Sequence, residues 1–492
     1  SLYKIHFPAN FKEIEIVRQR LAFDRLFFLE LILALHKQKI KIINKKQKYF
    51  SDTLRAKFIK TLPFKLTNDQ KKAIDEIIQD MKSGKMMNRL LMGDVGSGKT
   101  LVAVCAALLA IENGYQVAIM TPTEILSVQH YNNIMNYLKD FGVPVLLLTG
   151  KQKNSERKET LEQIATQTGQ IIIGTHALIQ ENVKFKNLGF IVIDEQHRFG
   201  VMQRATLHLK SETPDVLVMT ATPIPRTLAL TVYGDLDISI IKEMPPGRKK
   251  IITKWYSEKK VSQVYEFLKE QMKQGKQVYV VYPLVSESEK MDLKDAETMY
   301  KKFREEIFPE FNIGLIHGQM KKELKDETMQ KFRDGKIDLL VATTVIEVGV
   351  DVANASVIVI EHSERFGLAQ LHQLRGRIGR SDIQSYCILI TSHKLTDEAK
   401  RRMNAMVNYD NGFKLAEIDL ELRGPGEIMG TRQTGMPDLR PANLIKDTKI
   451  LQAARNEAFA LIERSPDLSD YPQLVKSLKT EFTDKLNLIQ VG

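Results

Sequence analysis

The chain has 492 residues, of which 43% are hydrophobic and 27% are charged, as in a globular protein that buries a large core. Lysine and arginine number 72 against 60 acidic residues, and the net charge of +12 favours polyanionic partners, although a merely basic protein has the same balance. The 2 cysteines lie in apolar patterns, which excludes a disulfide framework. No apolar run reaches the roughly 18 residues of a membrane span and no signal peptide is apparent, so we expect a cytoplasmic protein without a membrane partner.

The N-terminal part of the chain, residues 11–50, places apolar and basic side chains at helical spacing and ends in the lysine-rich stretch HKQKIKIINKKQKYF. This spacing predicts a helix that continues into an exposed basic segment. A solvated helix face is the favoured explanation for the lysines. We assign residues 1–62 to an N-terminal helical linker.

A glycine-rich loop lies between two apolar segments in LLMGDVGSGKTLVAVCAALLA, residues 90–110. The pattern predicts a strand that starts near Arg89, a phosphate-binding loop, and a helix that a following Asn-Gly pair ends. In such a loop the glycines let the backbone curve around phosphates, Lys99 reaches the β- and γ-phosphates, and the Thr100 hydroxyl binds Mg²⁺. A glycine-rich turn with a chance lysine is the alternative, which the strand-loop-helix context disfavours. The predicted nucleotide-binding residues of the loop are Gly93, Asp94, Val95, Gly96, Ser97, Gly98, Lys99 and Thr100.

Short apolar runs alternate with helical stretches over most of the remaining chain. Such runs are typical of parallel sheets covered by helices on both faces. The predicted strands before the Pro- and Gly-containing linker EMPPGRKK are 116–120, 143–149, 171–175, 190–194 and 216–220, and those after it are 277–285, 313–318, 337–344, 356–361 and 385–391. The pattern therefore predicts an α/β fold with two tandem lobes, residues 63–242 and 243–394, followed by a helical and glycine-rich region, residues 395–492.

Two adjacent carboxylates follow the buried strand pattern FIVID, residues 190–194. Open parallel sheets bind ligands at the carboxyl ends of their strands, so Asp194 and Glu195 are predicted to reach the nucleotide. Asp194 would hold Mg²⁺, and Glu195 would polarise the water that attacks the γ-phosphate. The motif is weak alone, because many strands end in acidic turns, but the upstream phosphate-binding loop strengthens it.

Two arginines of the second lobe, Arg377 and Arg380, lie three residues apart in HQLRGRIGR. On a helix they would share one face and could act as arginine fingers, which stabilise charge on the γ-phosphate from across a cleft between the lobes. A solvated basic helix is the alternative, but Gly376 and Gly379 are poor helix formers and fit a close backbone approach better. His372 is interpreted as a polar residue at the end of a strand.

Seven short motifs occur in the order found in superfamily 2 helicases: GDVGSGKT, TPTE, GTHAL, DEQH, TATP, ATTVIEVGVD and QLRGRIGR. Longer runs, DEQHRFGV, TATPIPRTL, EHSERFGLAQLHQLRGRIGR and LRGPGEIMGTRQTG, closely resemble the RecG family of branched-DNA helicases. The resemblance covers nearly the whole chain from Ile5. It implies two RecA-like lobes that bind ATP and Mg²⁺ between them, with Lys99, Asp194, Glu195, Arg377 and Arg380 in catalysis.

The resemblance also implies roles for residues outside the phosphate-binding loop. Those similar to an adenine-reading motif are Phe64, Thr67 and Gln70. Those similar to DNA-backbone contacts of the first lobe are Pro122, Thr123, Gly174, Thr175 and His176. Those similar to the second-lobe motif that links nucleotide to DNA are Thr343, Thr344, Glu347 and Asp351.

The segment from about 395 to 435 resembles the translocation hairpin that the RecG family shares with the transcription-repair coupling factor, and Arg423 and Gln433 lie at the matching positions. His372 and Arg375 are expected to transmit the state of the nucleotide to it. The family also carries an N-terminal wedge domain, whereas this sequence starts at what resembles the helical connection after that domain. We therefore expect weak preference for branches in these 492 residues.

The resemblance predicts an ATP-dependent translocase on double-stranded DNA that remodels stalled replication forks and Holliday junctions in recombination and repair. Expected partners are duplex and branched DNA and a single-strand DNA-binding protein, and the expected state is a monomer. The main alternative is a coupling-factor-like translocase that acts on RNA polymerase, but that family usually has DEEH where this chain has DEQH. An RNA helicase of the DEAD-box class and a non-catalytic DNA-binding scaffold fit the motifs less well.

Overall fold

The computed structural model describes residues 7–42, 45–150, 152–195, 210–211, 213–221, 229, 236–247, 249–283, 289–343, 352, 354–379, 382–423, 441–442, 446–478 and 480. Side chains of residues 36, 39–42, 289–295, 322 and 423 lie outside this description. Among the described residues, no helix combines the length and the apolar character that a membrane span requires.

Two helices precede the first lobe, α1 (Phe11–Ile42) and α2 (Thr53–Thr61). The segment between these helices was predicted to be exposed. This prediction is wrong for every second residue of 45–50. Lys45, Gln47 and Tyr49 are buried, while the residues between them face solvent. The Lys45 Nζ contacts Asp215 Oδ2 at 2.5 Å, and the Tyr49 hydroxyl donates to the same oxygen at 2.8 Å. This alternation, which is typical of an extended segment with one buried face, attaches the linker to the base of the first sheet.

The first lobe is a parallel sheet of seven strands in the order β3-β4-β2-β5-β6-β1-β7. Its strands are β1 (Asn88–Gly93), β2 (Gln116–Met120), β3 (Val145–Leu148), β4 (Ile171–Gly174), β5 (Leu188–Asp194), β6 (Asp215–Thr220) and β7 (Asp237–Ile241). Its described helices are α3 (Asn68–Lys82), α4 (Lys99–Glu112), α5 (Glu124–Leu138) and α6 (Asn154–Thr166), with a 3₁₀ turn at His176–Ile179. Helix α4 is apolar on all sides because it is buried between the sheet and its neighbours α2 and α3.

The second lobe is a parallel sheet of six strands in the order β10-β11-β9-β12-β13-β8. Its strands are β8 (Ile252–Ser257), β9 (Gln277–Val281), β10 (Ile313–Ile316), β11 (Leu339–Ala342), β12 (Ala355–Ile360) and β13 (Tyr386–Thr391). Its helices are α7 (Val261–Lys273), α8 (Glu289–Lys302), α9 (Lys322–Arg333) and α10 (Leu368–Arg375), with short 3₁₀ turns at Glu258–Lys260 and Ser363–Arg365 and a π turn at Phe303–Ile307.

The described chain beyond the second lobe includes helices α11 (Asp397–Asn408), α12 (Gly412–Arg423) and α13 (Thr448–Arg464), and residues 472–478 are also helical. Helices α11 and α12 form a hairpin on α10. Helix α13 returns to the N-terminal helix, where apolar side chains of α1 and α13 form a common buried cluster. The buried Glu30 carboxylate of α1 accepts a hydrogen bond from Arg455 of α13 at 2.9 Å, so the two ends of the chain are joined by a charge-assisted contact as well as by apolar packing.

The two predicted lobes are confirmed, and every strand predicted from an apolar run is present. Strands β7 and β8 and helix α12 were missed. Strands β7 and β8 carry half-exposed and polar side chains in DISII and ITKWYS, so they lack the continuous apolar pattern of the central strands. The prediction for His372 was wrong, since it lies within α10 rather than at a strand end. Helix α10 ends at Arg375, so Arg377 lies in the turn beyond it.

Candidate nucleotide site and its link to the second lobe

The phosphate-binding loop lies between β1 and α4, at the carboxyl edge of the first sheet. Gly96 and Gly98 have positive φ angles of 76° and 85°, which side chains rarely adopt. A Cβ at Gly98 would lie 2.4 Å from the Gln70 amide nitrogen, and one at Gly93 would lie 2.4 Å from the Ser97 hydroxyl. Glycine is therefore favoured at Gly96 and Gly98 by the backbone conformation, and at Gly93 and Gly98 because neighbouring side chains occupy the position of a Cβ.

Lys99 is the first residue of α4, at the helix end where unpaired backbone N–H groups favour an anion. Its ammonium group is largely buried and donates to the carbonyl oxygens of Gly93 and Asp94 at 2.8 and 3.0 Å. The Lys99 ammonium group thus lies across the phosphate-binding loop, where it was predicted to bind the phosphates.

The predicted adenine-reading residues lie at the start of α3. Thr67 caps this helix, and the Gln70 side chain completes a capping box with it. The Gln70 amide also donates to the Ser97 carbonyl at 2.8 Å, so it braces the phosphate-binding loop. Phe64 is 42% exposed, which leaves its ring accessible to a base. The Asp69 carboxylate accepts hydrogen bonds from the backbone after β7, and this contact fixes α3 beside the same sheet edge.

Asp194 ends β5 and lies in register with Met219 of β6, while Thr220 of β6 lies in register with Met92 of β1. The carboxylate is therefore one strand away from the phosphate-binding loop. Burial alone would raise the pKa of Asp194, but a hydrogen bond from His130 and the positive charges nearby, including Lys99, hold it below the ordinary value. Asp194 consequently stays ionised.

Glu195 follows directly, with a positive φ of 54°. Burial and the adjacent Asp194 carboxylate raise its pKa, while Lys99, the Ala221 N–H group and Arg377 act in the opposite direction. The pKa values of the two neighbouring carboxyl groups are thus shifted in opposite directions, that of Asp194 downward and that of Glu195 upward. This is the arrangement expected of a metal ligand beside a proton acceptor. Arg377 of the second lobe thus acts electrostatically on a carboxyl group of the first lobe.

His130 of α5 is a residue that sequence reasoning missed. Its Nε2 lies 3.0 Å from Asp194 Oδ2, and both side chains are nearly inaccessible to solvent. A signal was present in the sequence: Ser127 and His130 are polar residues at helical spacing on the face of α5 that carries the buried Leu126 and Ile134.

The residues present fit Mg²⁺, which prefers oxygen ligands and retains several waters. Asp194 supplies an ionised carboxylate whose orientation is fixed by a neighbour, and Thr100 supplies a half-buried hydroxyl at the second position of α4. Bound there, the ion would neutralise charge on the phosphates. Outside this pair of residues, the described part of the chain has no group of three or more His, Cys, Asp or Glu side chains that could hold a metal ion.

The phosphate-binding loop also contacts the second lobe. The His372 Nε2 of α10 lies 2.5 Å from Asp94 Oδ1, and the Gly412 N–H group at the start of α12 donates to Asp94 Oδ2 at 3.0 Å. Burial alone would raise the pKa of Asp94, and these two contacts lower it. Asp94, predicted only as a member of the loop, is therefore also the residue through which the loop contacts both α10 and the hairpin.

Arg375 continues this contact away from the nucleotide. Its guanidinium donates to His372 Nδ1 at 2.9 Å and to the carbonyl oxygens of Met406, Tyr409 and Asp410 at 2.9, 3.0 and 3.1 Å. His372 and Arg375 thus lie between the phosphate-binding loop and the turn that joins α11 to α12. The expectation that they transmit the state of the nucleotide stays a prediction, with this path as its physical basis.

The predicted close approach of the second-lobe glycines is confirmed. A Cβ at Gly376 would lie 2.8 Å from the Val95 side chain of the phosphate-binding loop. Gly379 has a φ of 72°, and a Cβ there would lie 3.0 Å from Ile251. Gly376 thus allows the turn that carries Arg377 to lie against the first lobe, and Gly379 allows the same turn to pack on Ile251 of the second lobe.

The predicted DNA-contact residues of the first lobe follow β2 and β4. Thr123 caps α5, Gly174 ends β4, and His176 is exposed at the start of a 3₁₀ turn. Glycine is also required at position 174 for a structural reason, because a Cβ there would clash with the Leu148 carbonyl oxygen. Pro122 is half-buried and Thr175 is buried.

Thr343 is buried at the end of β11, where its N–H group donates to Ile316. The remaining predicted site residues lie outside the described residues: Arg380, Thr344, Glu347, Asp351 and Gln433, together with the side chain of Arg423.

A phosphate-binding loop, an Asp-Glu strand end and a second parallel-sheet lobe that packs against the same loop define the helicase class of proteins. Family models agree: residues 67–231 match "DEAD/DEAH box helicase" and residues 259–382 match "Helicase conserved C-terminal domain". Residues 409–487 match "ATP-dependent DNA helicase RecG, domain 3, C-terminal".

Individual relatives identify the branch of that class. The ATP-dependent DNA helicase RecG of Haemophilus influenzae is 45% identical, with 96% of this chain and 69% of the relative covered. That of Synechocystis sp. is 48% identical, with 96% and 57% covered. A solved structure of RecG bound to a three-way DNA junction matches with a TM-score of 0.76 at 45% identity, over 92% of this chain and 59% of that one. The chain belongs to the RecG family of ATP-dependent DNA helicases, and it spans about three fifths of the length of several of these relatives.

Proposed function

We propose that this chain is an ATP-driven motor that moves on double-stranded DNA and thereby remodels branched DNA such as stalled forks and Holliday junctions. The observation that carries the proposal is the path from the nucleotide site to the hairpin. Asp94 contacts His372 and Gly412, and His372 contacts Arg375, which holds the turn between α11 and α12. A change at the phosphates is thus connected to an element outside both sheets, as a motor requires.

The chemistry proposed for the site uses this chain's own groups. The backbone of the loop and Lys99 hold the phosphates, while Thr100 and Asp194 hold Mg²⁺, which supplies charge neutralisation when bound. Glu195 orients the attacking water and accepts its proton, a role supported by its raised pKa. Arg377 and Arg380 stabilise the charge that develops on the transferred phosphoryl group when the lobes close.

The binding of DNA is proposed at the carboxyl edges of both sheets, through Pro122, Thr123, Gly174, Thr175 and His176 in the first lobe and Thr343, Thr344, Glu347 and Asp351 in the second. The loop that follows α12, with Arg423 and Gln433, is proposed to push on the duplex. We further propose that the chain acts in recombination and repair in a bacterial cytoplasm, as a monomer that also meets single-strand DNA-binding protein; the matched RecG helicases come from bacteria. The division into residues 63–242, 243–394 and 395–492 follows these roles.

The test compares ATP hydrolysis by the chain with linear duplex DNA, forked DNA, single-stranded DNA and duplex RNA. We expect Mg²⁺-dependent hydrolysis that duplex DNA stimulates, duplex binding that weakens steeply with salt, and little preference for the fork over plain duplex. Displacement of a triplex-forming third strand reports translocation directly. Stimulation by RNA alone, or hydrolysis without third-strand displacement, would contradict the proposal.

A second candidate function, translocation against RNA polymerase, rests on the hairpin that the RecG family shares with the transcription-repair coupling factor. The relatives reported above favour the first function. Displacement of a stalled RNA polymerase by this chain, in an assay where third-strand displacement is absent, would reverse that order.

A further inference from the structure

Helix α5 carries a line of buried polar groups that begins beside the predicted DNA contacts. Thr123 caps the helix, and its carbonyl oxygen accepts hydrogen bonds from the hydroxyls of Thr121 and Ser127 at 3.0 and 3.2 Å. Thr121 and Ser127 are fully buried and also contact each other at 2.7 Å. His130 lies one turn beyond Ser127, so the line runs from the capping residue Thr123 to the imidazole that contacts Asp194.

The contact between His130 and Asp194 fixes a group that would otherwise rotate. A carboxylate oxygen without a proton only accepts hydrogen bonds, so Nε2 of the ring donates to Oδ2. Nδ1 is buried and has no hydrogen-bond partner among the described residues. The ring is therefore anchored by the carboxylate and by the packing of α5, and the orientation of the carboxylate depends on where α5 holds the ring.

The N-terminal end of α5 contacts two elements that change during the proposed cycle, the segments proposed to bind DNA and the second lobe. The Thr121 N–H group donates to the Gly174 carbonyl at 2.9 Å, which joins the two segments proposed to contact DNA. Ile125, in the first turn of α5, packs against the apolar core of the second lobe. A rigid helix with DNA contacts and the second lobe at one end and the metal-binding carboxylate further along can convey a displacement from one to the other.

We propose that His130 is a positioning residue that holds the Asp194 carboxylate in its Mg²⁺-binding orientation and, through α5, makes that orientation responsive to DNA at Pro122 and Thr123. This inference rests on the proposed function for its DNA-dependent part. The Mg²⁺-dependent part concerns the carboxylate alone. The imidazole touches neither nucleotide nor DNA, and it acts through Asp194.

The test compares His130→Ala, His130→Gln and a matched control, Ile134→Val, in the full chain. The glutamine amide can donate from nearly the position of the imidazole Nε2, whereas alanine removes the donor. Ile134 is fully buried on the same face of α5, one turn further on, and is not one of the polar groups of this line. Thermal unfolding of each variant measures any general loss of packing.

The first measurement is the affinity for a fluorescent ADP analogue with Mg²⁺ and with EDTA, which needs no turnover. We expect His130→Ala to lose most of the gain in affinity that Mg²⁺ gives, with the half-saturating Mg²⁺ concentration raised about tenfold, as for other groups that orient metal ligands. With EDTA its affinity should equal that of the wild type. His130→Gln should recover most of the Mg²⁺ effect, and Ile134→Val should show all of it.

The second measurement is the ratio of ATP hydrolysis with and without linear duplex at saturating ATP and Mg²⁺. This ratio should fall several-fold in His130→Ala and stay near the wild-type value in His130→Gln and Ile134→Val. The inference is overturned if His130→Ala keeps the wild-type Mg²⁺ dependence, if Ile134→Val changes equally, or if a folded His130→Gln behaves as the alanine variant does. If wild-type hydrolysis is indifferent to every DNA, the proposed function fails, while the ADP measurement still decides the metal-positioning role.

Discussion

Two histidine–aspartate pairs reach the nucleotide site, one inside the first lobe and one between the lobes. In both, an imidazole Nε2 contacts a carboxylate that is largely shielded from solvent, 12% exposed in Asp194 and 14% exposed in Asp94. They differ at the other ring nitrogen: Nδ1 of His130 has no hydrogen-bond partner among the described residues, whereas Nδ1 of His372 accepts from the Arg375 guanidinium. The first ring ends a path that comes along α5, and the second is one member of a path that leads on to the hairpin.

This difference separates two tasks that a motor has to combine. A ring bonded only to a carboxylate can set the orientation of a metal ligand, and hence the chemistry. A ring bonded on both sides can carry a displacement from one lobe to another element, because moving one partner strains the other. We therefore expect variants of the first pair to affect metal use and hydrolysis, and variants of the second to affect the work obtained from each ATP.

Removing the cation that both pairs flank should have the largest effect. Lys99→Ala deletes the ammonium group predicted to hold the β- and γ-phosphates, so hydrolysis should fall by about 10³-fold or more in the presence of duplex DNA. Steady-state phosphate release measures this, and a wild-type unfolding temperature serves as the control for folding. Turnover at the wild-type rate would mean that neither pair flanks a phosphate site.

The arginine of the second lobe should separate hydrolysis from binding. Arg377→Ala should reduce turnover by about 10³-fold but leave ATP affinity nearly unchanged, because an arginine finger acts on charge that develops in the transition state. Arg380→Ala is expected to behave in the same way. Fluorescent nucleotide binding and single-turnover hydrolysis measure the two quantities. Equal, modest losses in both would assign Arg377 a role in binding or in structure instead.

The local elements of the site could be predicted from the sequence, and the contacts between them could not. A strand, a glycine-rich loop and an apolar helix are specified by neighbouring residues, and so are the carboxylates at the end of β5. The contact of Asp94 with His372 joins residues 278 positions apart, and no local pattern marks it. His130 and Asp194 are 64 positions apart, but there the polar spacing on the buried face of α5 was a usable signal. Helix α12 was missed because the sequence places it directly before a glycine-rich stretch.

Removing the contact between His372 and Asp94 should lower the displacement obtained per ATP more than the rate of ATP hydrolysis. His372→Ala removes both the contact to Asp94 and the acceptor for Arg375. The number of third strands displaced per ATP hydrolysed should therefore fall about tenfold, which is within the range of typical coupling between two sites. The matched variant is His130→Ala, for which hydrolysis falls but displacement per remaining ATP should stay close to the wild-type value. The two ratios are measured from phosphate release and triplex displacement in the same samples. Equal ratios in the two variants would remove the distinction between the pairs.

The smallest expected effect comes from the contact of Gly376 with Val95, where the two lobes approach each other. Gly376 has φ −67° and ψ −6°, which alanine adopts without strain, so the cost of Gly376→Ala comes from contact alone. Its new Cβ would lie 2.8 Å from the Val95 Cβ and Cγ1 atoms, and the turn that carries Arg377 would have to move away from the phosphate-binding loop. Turnover should fall by about tenfold or less, since a small displacement of a catalytic group is costly.

Replacing the partner tests whether that loss is steric. Val95→Gly removes the atoms that Gly376→Ala would meet, so the double variant should hydrolyse ATP faster than Gly376→Ala alone, with Val95→Gly as the reference for the altered loop. The measurement is single-turnover hydrolysis at saturating ATP, with nucleotide affinity recorded for all three variants. If the effects of the two substitutions simply multiply, the two residues act independently, and the lobes do not come this close during hydrolysis. Recovery in the double variant would instead place the contact between Gly376 and Val95 in the state that hydrolyses ATP, on the same side of the site as the pair formed by Asp94 and His372.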